Sequence, residues 1–356
     1  MKVAIVHNQL SSGGGMEAYL IALIRGFAAA GDEVHIHTYE VDKKLAPTLP
    51  CIVHKTNLFF LPSRWKKYYF LRQCNRFFKR TDYDLSLTLT RTYGPQVAVI
   101  GGIHPASMNT RSGPNHPLRC LHDRIEIGFE QAMLLRTKKI VTHSKGLANE
   151  IANYYPAICP EKISVFYPPV DTTFFVRLEK EKLIQAKATY NIAKEKLTLL
   201  FPSTGHRRKG LKELLIAFSR LDPKRFELLV AGEPVRSFTP TLEHVRYLGY
   251  ITNLSALYSA VDYTVLPARY EPFGLVVAES LHCGTPVVVT RSAGVAELLT
   301  EQEGVVIDNN HPDTLEAIIS QLQRKRVAPG FLEQHNLNVS DHIALLKKLL
   351  YRGASQ

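Results

Sequence analysis

Acidic side chains are in short supply in this 356-residue chain: 32 Asp and Glu face 44 Lys and Arg, giving a formal charge of +12. A protein balanced this way seeks an anionic partner, whether a phosphate-bearing substrate, a lipid surface or a nucleic acid, and charge alone does not choose among them. Cysteine is equally sparse. The five, at 51, 74, 120, 159 and 283, are odd in number, widely spaced and never form a Cys-x-x-Cys pair. That pattern argues against a disulfide scaffold and against a structural zinc site, and a reducing compartment is expected. Long apolar runs are missing too: nowhere do 18 apolar residues follow one another, so no membrane span is expected. The opening Met1–His7 stretch is too short for a signal-peptide core and reads as a first strand. Internal repeats and low-complexity segments are absent.

What the chain does contain is an alternation of apolar strands and helices. The first strand leads through Gly13-Gly14-Gly15 into a helix ending near Ala30, and Val34 to Thr38 is the next strand. Further strands fall at Leu85 to Leu89, Gln96 to Ile100 and Lys139 to Ser144, with Ser144 placed to cap a helix through Tyr154. Such alternation points to an α/β fold with doubly wound parallel sheets. The length suits two domains, and the strand from Ile163 runs into a rigid proline turn at Pro168-Pro169.

One stretch organises the second half. Arg269-Tyr-Glu-Pro-Phe-Gly-Leu runs on to Glu279 and Gly284-Thr-Pro-Val287, so two carboxylates, Glu271 and Glu279, stand eight residues apart. Gly274 lets a loop turn into a helix whose first N–H groups can hold an anion, and Glu279 lies two turns further on. Carboxylates accept hydrogen bonds from sugar hydroxyls, while N–H groups and basic side chains hold phosphates. Upstream, His206-Arg-Arg-Lys-Gly210 follows the strand Leu197 to Phe201. Arg208 and Lys209 make a credible diphosphate clamp; a basic loop on a basic protein is the alternative. Gly13 to Gly15 permits close phosphate approach before a helix, or is a flexible turn. It matches neither Gly-x-Gly-x-x-Gly nor a P-loop. His104 sits just past the end of a strand, where open α/β sheets bind ligands, and is read equally as a turn histidine.

These motifs resemble the retaining GT-B glycosyltransferases of the glycosyltransferase-4, or glycogen-synthase-like, group, with the bacterial lipopolysaccharide-core glucosyltransferases as the nearest subgroup. The Glu-Pro-Phe-Gly-Leu…Glu…Gly-Thr-Pro-Val signature, the lysine before Gly210 with Arg208 ahead of it, the N-terminal glycine loop followed by Glu17, and His104 carry the resemblance. It implies two Rossmann-like domains facing a cleft, 1–168 binding the acceptor and 169–338 the nucleotide sugar, with the interdomain crossing at Pro168-Pro169 and 339–356 as a C-terminal helix crossing back to the first. A hexose would pass, with retention and without a metal, from a nucleotide-diphosphate sugar to a glycan or lipid-linked acceptor in cell-surface polysaccharide synthesis. A UDP-sugar is the favoured donor, with GDP- and ADP-sugars as alternatives; no other cofactor is implied. Arg208, Lys209, Gly13, Gly14, Gly15 and the N–H groups near Phe273, Gly274 and Leu275 would meet the diphosphate. Glu271 would hold the donor hexose, Glu279 the ribose, Tyr250 and Ile251 the base, and His104 the reacting sugar.

Two basic segments lie outside these motifs. Between Leu58 and Arg80, eight aromatics including Phe59, Phe60, Trp65, Tyr68 and Phe70 alternate with Arg64, Lys66, Lys67, Arg72, Arg76, Lys79 and Arg80, with no acid among them. An internal packing helix, a helix lying on an anionic membrane, and a nucleic-acid surface all fit, nucleic acid least. Pro105 to Arg124 reads as a basic loop, with Arg111, Arg119 and Arg124 reaching toward an acceptor or membrane. A cytoplasmic protein, in peripheral contact with the inner membrane, is the expectation. Two alternative classes stay open: a non-catalytic nucleotide-sugar or glycan binder on the same scaffold, and a nucleic-acid-binding protein.

Overall fold

The computed structural model describes residues 1–78, 83–109, 117–235 and 242–351, so Lys79, Arg80 and Arg111 lie outside the described residues. Two compact units emerge: Met1–Pro169 joined by the chain from Leu337 onward, and Val170–Asn336.

The first unit is built on a seven-stranded sheet. In spatial order its strands are Ile52–Lys55, Glu33–Thr38, Lys2–Val6, Leu85–Thr88, Val97–Ile100, Lys139–Thr142 and Ile163–Val165, all parallel. Counted along the chain this is the order 3-2-1-4-5-6-7, the doubly wound arrangement whose direction reverses between Lys2–Val6 and Leu85–Thr88. Val3 and Ile5 point into one core with Leu20, Leu23, Ile24 and Phe27 of the helix Gly15–Ala29. Val6 points the other way, toward Phe70, Leu71 and Cys74. A strand buried on both faces has no need of polar alternation, which is why these segments read as apolar runs. The helix Val339–Tyr351 belongs to this unit. Its Val339 and Ile343 lie against Gly26, and Lys347 pairs with Asp32 at 2.5 Å.

The second unit repeats the plan. Its six parallel strands run in the order Val245–Gly249, Phe226–Gly232, Leu197–Ser203, Tyr263–Leu266, Val287–Thr290 and Gly304–Ile307, again 3-2-1-4-5-6. Leu199 and Phe201 pack with Leu211, Leu214, Leu215 and Phe218, and Leu200 packs on the opposite face with Leu257, Tyr258 and Val261. The direction reverses between Leu197–Ser203 and Tyr263–Leu266. Both basic and acidic motifs leave the sheet there.

One expectation is corrected. The segment 105–124 is not a loop throughout: a short helix spans His104–Met108, and a long one spans Pro117–Arg136. Proline at the first helical position suits a helix start, because its missing N–H has no partner there anyway. Within that long helix the acids Asp123, Glu126 and Glu130 are buried, while His122 and Arg124 stay exposed. Among the described residues, no helix is long and apolar enough to cross a membrane.

Candidate active site

At the reversal point of the second sheet, the strand Leu197–Ser203 runs into Thr204–Gly210 and the strand Tyr263–Leu266 into Pro267–Gly274. The two loops are joined by Arg269 N donating to Arg208 O at 2.9 Å. Gly210 makes the closeness possible. Its φ of +83° lies in the left-handed region, and a Cβ there would overlap the Pro267 carbonyl oxygen. Arg208 then reaches across, with Nη1 donating to Tyr270 O at 2.7 Å and to Glu271 Oε2 at 2.9 Å. Lys209 Nζ lies 3.9 Å from the same carboxylate oxygen. Arg208 is partly exposed and Lys209 buried. Burial pushes the Lys209 ammonium below its ordinary pKa, and the Glu271 carboxylate opposes that shift. Arg207 is exposed on the solvent side of the same turn.

Glu271 is fixed by its backbone. Its N–H donates to Ser292 O at 3.3 Å, its carbonyl accepts from Gly294 N at 2.9 Å, and Phe273 O accepts from Val295 N at 2.8 Å. Phe273 is buried, and Gly274, at φ +100°, turns the chain into the helix Leu275–His282. A helix start leaves its first N–H groups without intrahelical acceptors. Glu279, on that helix, is buried and accepts from the Tyr258 hydroxyl at 2.9 Å. Its pKa rises to about 7, because burial outweighs the opposing pull of the Tyr258 hydroxyl and the Lys209 ammonium. The second unit thus gathers Arg208, Lys209, Glu271, Phe273, Gly274, Leu275 and Glu279 around one corner of its sheet.

In the first unit, Gly14 is the N-cap of the helix Gly15–Ala29, with Gly13 before it. The Glu17 carboxylate lies against Gly14, accepts from Gln9 Nε2 at 2.7 Å and stands 3.5 Å from His7 Nε2. The His7 contact, helped by Gln9, takes its pKa down to about 2 against the effect of burial. His104 is buried at the start of its short helix. Its backbone N–H donates to Glu130 Oε2 at 2.9 Å, and its Nε2 is 2.8 Å from Asp123 Oδ1.

Those two carboxylates belong to a set. Asp123, Glu126 and Glu130 are all buried, at the i, i+3, i+7 spacing that places side chains on one face of the helix Pro117–Arg136. Arg91 donates to Glu126 Oε2 at 2.7 Å and Glu130 Oε1 at 3.1 Å. Lys67 and Tyr68 donate to Glu126 at 2.6 and 3.0 Å, and Tyr155 to Glu130 at 2.6 Å. His122, exposed beside Asp123, completes a trio with His104 whose donor atoms lie within 4.8 Å of one another.

Two family models match the chain. Residues 13–174 match "Glycosyltransferase Family 4" and residues 184–336 match "Glycosyl transferases group 1". A probable transglycosylase of Burkholderia thailandensis is 29% identical over 366 aligned residues, covering 100% of this chain and 98% of that protein. Among solved structures, WaaG, a glycosyltransferase involved in lipopolysaccharide biosynthesis, superposes with a TM-score of 0.77 at 17% identity, covering 99% of this chain and 95% of that one. HepE of Anabaena, in complex with UDP and glucose, does so with a TM-score of 0.71 at 15% identity, covering both chains in full. The chain is a GT-B glycosyltransferase related to glycosyl transferases group 1.

Not every expected residue of the transferase joins the corner formed by Arg208 and Glu271. Tyr250, just past the edge strand Val245–Gly249, is 66% exposed, while Ile251 is half-buried against the cluster of Leu257 and Tyr258. Tyr258, which holds Glu279, escaped sequence reading because it looks like any core aromatic. The partners of His104 escaped for a similar reason, although the i, i+3, i+7 acids of an otherwise mixed helix were a usable signal. Lys67 and Tyr68 turn inward, with Tyr68 stacked on Phe129 at 5.4 Å. Phe70, Leu71 and Cys74 of the helix Ser63–Phe77 are core; Phe59, Phe60 and Trp65 stay exposed, as do Arg72 and Arg76.

Proposed function

We propose that this transferase moves a hexose from a UDP-sugar to a hydroxyl of a glycan or glycolipid, with retention of configuration and without a metal, in the synthesis of a surface polysaccharide. The observation that carries the reading is the Arg208–Lys209 cation pair held on Glu271 at the reversal point of the second sheet, with buried Glu279 on the adjoining helix. Two cations beside a helix N-terminus suit a diphosphate, and they supply the charge neutralisation that a metal supplies elsewhere. The relatives add support: HepE was solved with UDP and glucose, which favours a uridine donor, and WaaG acts in lipopolysaccharide biosynthesis.

In this mechanism the bond from the sugar's anomeric carbon to the diphosphate breaks, and a bond to the acceptor oxygen forms on the same face. The acceptor's proton passes to the departing phosphate oxygen. Arg208, Lys209 and N–H groups near Gly274 stabilise the charge that develops on the leaving diphosphate; Gly13 to Gly15 offer further N–H groups to it. Glu271 orients hydroxyls of the donor hexose, Glu279 accepts from the ribose, Tyr250 and Ile251 flank the base, and His104 touches the transferred sugar. The acceptor is brought from an anionic membrane at the cytoplasmic face, on which the exposed Phe59, Phe60 and Trp65 and the neighbouring basic side chains rest.

The test is nucleotide release from UDP-, GDP- and ADP-sugars, with and without truncated lipopolysaccharide or extracted envelope glycolipid. Acceptor-dependent release of UDP, lost in Lys209→Ala and Glu271→Ala, is the expected result. Release without an acceptor would make the protein a hydrolase of its donor, and binding of UDP without turnover would make it a non-catalytic binder.

A further inference from the structure

The geometry points to Asp123 as the residue that sets the orientation and tautomer of His104, a positioning role that rests on the reading of His104 as a contact of the transferred sugar. The ring is buried and its Nε2 stands 2.8 Å from Asp123 Oδ1. An ionised carboxylate only accepts, so the neutral ring carries its proton on Nε2 and presents Nδ1 as a lone pair. That nitrogen accepts from a sugar hydroxyl; in the opposite tautomer it could only donate. The main chain is held as well, since Glu130 Oε2 accepts from His104 N at 2.9 Å. Two carboxylates seven residues apart on one helix therefore fix the histidine at both ends, ring and backbone.

The anchoring is stiff because the carboxylates are not isolated. Glu130 is shared with Arg91 and Tyr155, and Arg91 also grips Glu126. Rotating the helix Pro117–Arg136 away from His104 would break several charge-assisted hydrogen bonds together, and such coupled bonds rigidify what they hold. The arrangement follows a general logic: a buried carboxylate behind an imidazole determines which nitrogen faces the substrate.

The experiment uses full-length protein with ¹⁵N-labelled histidine, the His104 signals being assigned by their loss in His104→Ala. The wild-type ring is expected in the Nε2–H tautomer. In Asp123→Asn the new amide can donate to Nε2, which moves the proton to Nδ1; kcat then falls roughly 10- to 100-fold while the affinity for UDP stays within about twofold. Adding Asp123→Asn to His104→Ala costs nothing further, because the residue acts only through the ring. A wild-type ring protonated on Nδ1 overturns the proposal, and this measurement holds even if Asp123→Asn fails to fold. An additive double variant overturns it too. Absence of turnover by wild type with any sugar donor would instead count against the functional reading, and leaves the nitrogen spectra to judge Asp123.

Discussion

Glu279→Gln separates what a buried carboxylate costs the fold from what it does for the ligand. An unfolded glutamate titrates near 4.5, and Glu279 in the folded protein near 7. Below pH 4.5 both states hold the proton and the residue contributes nothing to pH dependence. Between 4.5 and 7 the unfolded chain releases its proton while the folded protein keeps it, so wild type loses stability as pH rises. Above 7 the loss is complete. Two and a half pKa steps at about 1.36 kcal/mol each make it about 3 kcal/mol. The glutamine variant escapes this loss, keeps the shape, and still accepts from the Tyr258 hydroxyl. The variant's advantage over wild type should therefore grow by about 3 kcal/mol between pH 4.5 and pH 8. Urea unfolding by circular dichroism reads the difference. Trp65, the only tryptophan, lies in the first unit and reports that unit separately by fluorescence. Ligand binding should move the opposite way. Losing hydrogen bonds to a charged acceptor costs about 1.5–3 kcal/mol, so UDP should bind roughly 10- to 100-fold more weakly to the variant at pH 8. Equal stability differences at pH 4.5 and pH 8 would refute the raised pKa. Unchanged UDP affinity would refute the contact with ribose.

Gly210→Ala places a side chain in left-handed backbone and against the Pro267 carbonyl, and should cost the second unit about 2 kcal/mol or more in urea unfolding; a smaller loss would mean the two loops part easily. Glu126→Gln leaves Lys67 and Arg91 without their shared charge partner, and should lower the stability of the first unit by about 2–4 kcal/mol, read by Trp65 fluorescence. Trp65 emission should shift to the blue on mixing with anionic vesicles at low salt, but not with neutral vesicles or at high salt. No shift with anionic vesicles removes the membrane contact.

The strands were the most legible part of the chain, because parallel strands buried on both faces leave uninterrupted apolar runs such as Val287–Thr290. Helix starts were legible where a cap declared them: Ser144 accepts from Leu147 N at 3.1 Å, and Gly274 turns the chain into Leu275–His282. The segment from Pro105 misled for a physical reason. Buried Asp123 lies between exposed Leu121 and Ile125, and buried Glu126 follows directly, so polarity is turned inward and apolarity outward, the reverse of the pattern by which a surface helix is recognised. A buried carboxylate is stable only beside partners from elsewhere, and Arg91, Lys67 and Tyr68 are 35 to 59 residues away in the chain from the acids they bind. Local pattern cannot contain that information. The aromatic, basic stretch fitted both a packing helix and a membrane-facing one, and the acid that its Lys67 meets, Glu126, lies 59 residues further along the chain.

The Glu271 carboxylate, read from sequence as a sugar ligand, has a second partner that sequence did not join to it. Arg208 donates to one of its oxygens, and Lys209 is drawn toward the same atom. A carboxylate offers about four acceptor positions, so this pairing leaves room for sugar hydroxyls on Glu271. The pairing also fixes the guanidinium before any phosphate arrives, which spares the binding step the cost of ordering a long side chain. The net charge of the three groups is +1, enough to attract a diphosphate yet low enough to keep the buried Lys209 ammonium bearable beside Arg208. One acidic residue thus tunes the cationic pair and keeps acceptor positions open for a sugar, and the eight-residue spacing to Glu279 puts the second acid, whose burial opposes its charge, one helix turn beyond the start of Leu275–His282 rather than the two turns expected from the sequence.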